Sequence, residues 1–145
     1  MKKILCLFLT VLFLLPMVLS CGSSPEGTPV EIPDVKVVSF QNAYTEKEDG
    51  KKVLDRTLGT EIYAGAVTAY VAEGATLSLK DVVDGYVRDL DNSAVYDEIT
   101  QRYTKIASLS TEDGGFWTYY INGRESSLHT AVKPTDAIEI AFELN

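Results

Sequence analysis

The chain has 145 residues, 13 basic against 21 acidic, and a formal net charge of −8. That balance excludes the basic stripe a nucleic-acid partner requires, and it excludes electrostatic adhesion to anionic lipid. The two cysteines, Cys6 and Cys21, both lie within the first 21 residues, so the rest of the chain holds no disulfide and a domain there must rest on its apolar core.

The first element is an apolar run. Lys2 and Lys3 give a positive start, Ile4 to Met17 is almost entirely apolar, and Val18-Leu19-Ser20 closes the segment directly before Cys21. The run is shorter than the roughly 20 residues a membrane span needs. Length, basic start and the small Ser20 predict a signal peptide over residues 1–20. The segment resembles a bacterial lipoprotein signal, with Val18 where that family usually has leucine and with Gly22-Ser23-Ser24 following. The resemblance implies cleavage before Cys21 and lipid, palmitate included, on its sulfur. The partner implied is then the membrane itself, and the place the extracytoplasmic face of a bacterial cell membrane. Loss of Lys2, Lys3 and Cys6 with the signal takes the formal balance from −8 to −10 and leaves Cys21 as the only cysteine. Several acyl chains on one residue make release from a bilayer negligible, since each buried methylene contributes about 0.8 kcal/mol.

Residues 21–34 contain Pro25, Pro29 and Pro33 with two serines and two glycines, which predicts a flexible tether. A single domain is expected over residues 35–145. Val35 to Phe40 is β-branched and reads as a strand; Thr45 to Lys52 reads as a charged loop with Asp49-Gly50 as its turn. Glu61 to Ala72 fits a helical face through Tyr63, Val67, Tyr70 and Val71, but Gly65 and the β-branched residues favour two strands bent or joined near Gly65. Ser78 with Asp81 three residues on makes a capping box, and Leu79, Val82, Val83 and Tyr86 share a face, so a helix is predicted from Leu79 to Leu90. Tyr103 to Leu109 alternates as a strand. Phe116 to Ile121 is the strongest strand signal, followed at once by the hairpin dipeptide Asn122-Gly123. Ala137 to Leu144 alternates with Ile138, Ile140 and Phe142 on one side. Strands, one helix and more strands make an α+β pattern, a mixed sheet with a packed helix.

Three segments together resemble a known family: Glu73-Gly74-Ala75-Thr76-Leu77 before the helix, Phe116-Trp117-Thr118-Tyr119-Tyr120-Ile121-Asn122-Gly123 at the hairpin, and Lys133 to Ile140 opening the last strand. The chain looks like the domain-of-unknown-function family 4430, itself similar to the C-terminal domain of transcobalamin and intrinsic factor. Thr135-Asp136 stands where the family has Gly-Asp. The resemblance implies a β-grasp-like mixed sheet, a cobalamin-type corrinoid as cargo rather than cofactor, and a ligand contact at Trp117.

Along a strand, alternate side chains share a face. Trp117, Tyr119 and Ile121 therefore face one way, and Phe116, Thr118 and Tyr120 the other. Two readings stand side by side: Trp117 packed in the core, or Trp117 and Tyr120 forming an aromatic shelf for a flat ligand. Trp117, Tyr119, Tyr120 and Asn122 are the ligand-binding candidates, Asn122 also suiting a positive φ in the turn. His129, the one histidine, reads as a loop residue, and no metal site is expected. Asp81, Asp84, Asp89 and Asp91 read as a solvated helix face. The residues show no activated serine or cysteine and no phosphate-binding glycine loop, so catalysis is not expected. Two functions follow: a membrane-anchored, non-enzymatic ligand-binding module, serving a transporter for example, or a protein-interaction module of the cell envelope without a small ligand.

Overall fold

The structure is a computed structural model and describes residues 26–145; the signal peptide expected over residues 1–20 and the expected lipid site Cys21 lie outside the described residues. Among the described residues ten strands and one α-helix follow in order: β1 (Thr28–Ser39), β2 (Tyr44–Glu46), β3 (Lys52–Leu54), β4 (Thr60–Val71), α1 (Leu79–Leu90), β5 (Val95–Asp97), β6 (Arg102–Ile106), β7 (Leu109–Ser110), β8 (Gly115–Ile121), β9 (Arg124–Ser126) and β10 (Ile138–Leu144), with short 3-10 turns at Arg56–Leu58 and Thr111–Asp113. The main sheet has the order β4-β1-β10-β8-β9. Its first and last long strands, β1 and β10, run parallel in the middle, while β4 and β8 flank them antiparallel. That is a β-grasp-like order with one packed helix, the α+β class the alternation predicts.

Helix α1 forms where its capping box dictates. The Ser78 hydroxyl accepts from the Asp81 N–H at 3.3 Å, and the Asp81 carboxylate accepts from the Ser78 N–H at 2.8 Å. Its apolar face places Leu79, Val82, Val83 and Tyr86 against Ile32, Val35, Val37, Val67, Ile138, Ile140 and Phe142 of the sheet. The opposite sheet face buries a smaller cluster, Val38, Phe40, Ala43 and Ala141.

Four expectations are corrected. The tether does not run to Asp34: β1 begins at Thr28, and residues 28–32 pair with Val71 to Val67 of β4. Proline is tolerated because this part of β1 has only one neighbour and Pro33 falls in the bulge between Ile32 and Val35. Glu61 to Ala72 is not two strands but one, β4; the bulge that relieves the bend lies on β1, opposite Gly65. Tyr63 fills the glycine's space by folding back to donate to the Ala66 carbonyl at 2.6 Å. The charged stretch Thr45 to Lys52 closes a β2–β3 hairpin rather than a plain loop. Tyr103 to Leu109 is broken at Ala107-Ser108, whose φ of 49° and 67° make a two-residue hairpin turn without glycine or asparagine. A buried carboxylate supports that turn: Asp91 accepts from the Ala107 N–H at 2.6 Å.

Candidate functional site

Strands β6 and β8 stand apart over much of their length and leave an open groove of about 980 Å³ between them. Trp117, Tyr119, Tyr103 and Leu128, all buried, form its floor, and Phe116 stands exposed at its edge. Trp117 is 8% exposed and packs at 5.1 Å, centroid to centroid, on Phe142. Core packing and a place on the groove wall are therefore both true of it.

The groove exists because β9 is short. Tyr119 pairs with Ser126 and Ile121 with Arg124, so Leu128 would sit opposite Trp117 if the ladder continued. It does not continue, because the start of α1 draws that segment away. The first N–H groups of a helix lack partners within it. Here Lys80 N–H donates to the Leu128 carbonyl at 2.7 Å, and Leu79 N–H to the Thr130 carbonyl at 2.9 Å.

Trp117's own main chain is left open as a result. The phase of β8 is fixed by its partners: Asn122 N–H donates to the Ala137 carbonyl, while the Phe142 carbonyl accepts from Phe40 N–H on the far side. Phe142 stands opposite Trp117, so the pair exchanges no hydrogen bonds, and Trp117 N–H and C=O point toward the groove. Trp117 Nε1 and Thr118 Oγ1 are buried without any hydrogen-bond partner, the only such side-chain atoms among the described residues. Buried polar groups are nearly always satisfied, and both exceptions fall at this open segment.

The groove's phenols stay neutral. Burial, then the Asp84 carboxylate that accepts its hydroxyl, pushes Tyr103 well above the ordinary tyrosine range. Burial, then neighbouring Tyr96, does the same for Tyr119. Neither can serve as a base near neutral pH. On the rim, the Thr100 hydroxyl and the Ile99 N–H hold Asp97 below its usual range. Glu125, Arg102 and the exposed His129 also line the groove.

The structure separates the four candidates. Trp117 and Tyr119 line the groove. Tyr120 lies on the opposite sheet face, where its hydroxyl donates to Glu143 at 2.8 Å and its ring stacks 4.5 Å beneath the Arg56 guanidinium. Arg56 also stacks on Phe40 and donates to Glu139 and Glu143. Burial disfavours its charge, but Glu139 leads the groups that more than offset this, so it stays cationic. This knot holds the β3–β4 connection onto the sheet beside a pocket of about 300 Å³. Asn122 is a turn residue: φ is 51°, and its side chain donates to Asp136 and accepts from Ala137 N–H. Among the described residues no group of three or more His, Cys, Asp or Glu is placed to hold a metal ion.

Comparison with known proteins gives no match: no family model, curated relative or solved structure is significantly similar to the chain.

Proposed function

We propose that this protein is a lipid-anchored, non-enzymatic binding module that takes its ligand in the groove beside Trp117. The observation that carries the reading is that groove, about 980 Å³ with an aromatic floor, at the upper end of the volume range of ligand sites. The buried, unpartnered Trp117 Nε1 supports it, since a protein that needed only stability would satisfy or remove it. The corrinoid suggested by the resemblance to the cobalamin carriers is the first ligand to test.

Trp117 is the only tryptophan, so its emission reports on the groove alone. Titrating the detergent-solubilised chain with cobalamin is expected to quench that emission saturably; a linear response up to tens of micromolar removes the corrinoid from the proposal. The anchor is tested separately. Radiolabelled palmitate is expected to enter the wild-type chain and to be absent from Cys21→Ala, and equal labelling of both would end the lipoprotein reading.

A further inference from the structure

We propose that the groove's ligand is an extended, basic peptide segment that adds to the sheet as a strand beside Phe116–Thr118, in the lane β9 vacates. The inference rests on the groove being the binding site and names the class of molecule that fills it.

The main chain makes the first argument. Strand β8 is paired on its inner side over all seven residues, Gly115 to Ile121, but on its outer side only over Tyr119 to Ile121. Trp117 N–H and C=O are thus one donor and one acceptor, spaced as a strand presents them and facing an open groove. A peptide residue opposite Trp117 exchanges two hydrogen bonds with it, as Ser126 is placed to do with Tyr119. A small rigid ligand has no reason to match that spacing, whereas a polypeptide matches it by construction. The lane runs from Gly115 to Thr118 and takes about four residues at roughly 3.3 Å each.

Side chains and charge give the second argument. Residues directly opposite in a ladder share a face. The peptide residue facing Trp117 therefore enters the side of the sheet where Trp117, Tyr103 and Leu128 lie, and an apolar residue of modest size suits it. Its two neighbours point to the other face, beside Phe116. Acidic groups flank the lane at both ends: Glu112 and Asp113 precede Gly115, and Glu125 sits on β9. Arg102, also on the wall, stands opposite Asp97 across the β5–β6 ladder. With the chain at −8 overall, a cationic segment is attracted and an acidic one repelled. The net charge also disfavours a second copy, since two chains of −8 repel one another.

The test uses Trp117 emission and three peptides: acetyl-Lys-Thr-Val-Thr-Lys-amide, the same peptide N-methylated at valine, and the version with glutamate in place of both lysines. Millimolar lysine peptide is expected to shift the emission saturably. N-methylation keeps every side chain but removes the central donor, and should weaken binding at least about tenfold. The glutamate peptide should bind several-fold more weakly at low salt, and the gap should narrow as salt rises. Equal binding of the lysine peptide and its N-methyl twin overturns strand addition while leaving the groove as the site. Cobalamin binding with no response to any peptide overturns the peptide and keeps the groove. No response to peptide or cobalamin overturns both. Dimerisation in sedimentation together with no effect of the lysine peptide on emission would assign the lane to a second copy and also counts against the proposal.

Discussion

Replacing Gly85 with alanine lowers the stability of the domain by about 3 kcal/mol, although the same change in a free helix would raise it by nearly 1. The sign reverses because α1 touches the sheet at this residue. A Cβ there would lie 2.3 Å from the Thr68 carbonyl oxygen, 3.0 Å from its carbon and 3.1 Å from Val67 Cγ1. Two of these are backbone atoms that cannot rotate away, so the helix must lift. Lifting it strains the bond from Arg88 to the Thr68 carbonyl, now 2.9 Å, and opens the packing of Val82, Val83 and Tyr86, all at most 3% exposed. Thermal unfolding checks it: a fall of roughly 10 °C is expected, and an unchanged or higher midpoint would show that the helix is not held this close.

A loss of similar size, about 3 kcal/mol, is expected for Asp91→Ala. Asp91 does not lie on the solvated face expected for it: at 8% exposure it is the one charged residue among the buried ones of the described residues. Its carboxylate accepts from Ala107 N–H at 2.6 Å, Ser93 N–H at 3.0 Å and Ser93 Oγ at 2.7 Å. It joins the end of α1 to the glycine-free turn at Ala107-Ser108, and so positions β6, one wall of the groove. Asparagine does not rescue it, because one amide position would present a donor to another donor. Burial alone would raise this carboxyl's pKa, but the bonds from Ala107 and Ser93, with Lys105 nearby, prevail and hold it below the ordinary value. The native state therefore binds that proton less tightly than the unfolded chain. Its contribution is complete above about pH 4, the unfolded value, and disappears as pH falls through the lower folded value. Denaturant melts across that window should show the gap between wild type and Asp91→Asn closing on acidification; a gap that stays constant contradicts the assignment.

Local signals carried far in this chain, and the places where they stopped are specific. Helix α1 was legible to the residue because Ser78, Asp81 and the apolar face act locally. The β8–β9 turn was legible because Asn122-Gly123 needs positive φ at both positions. The turn at Ala107-Ser108 was not, because its support comes from Asp91, sixteen residues away. The groove was not legible either. It arises from a competition: the residues after Ser126 could extend the ladder or satisfy the start of α1, and they do the latter. Nothing within Ser126 to Thr130 announces that choice. The sequence pointed to Trp117 and Tyr119, and both line the groove. It also grouped Tyr120 with them as a shelf, and alternation along β8 puts Tyr120 in the Arg56 knot instead.

The most direct measurement is residue-resolved hydrogen exchange across β8. Phe116 and Thr118 amides, bonded to β10, should be protected to the level of the core, while the Trp117 amide between them should exchange as quickly as an open loop. Addition of the lysine peptide should slow Trp117 selectively. A Trp117 amide already as protected as its neighbours would mean that the lane is closed, and would contradict the groove as a site for strand addition.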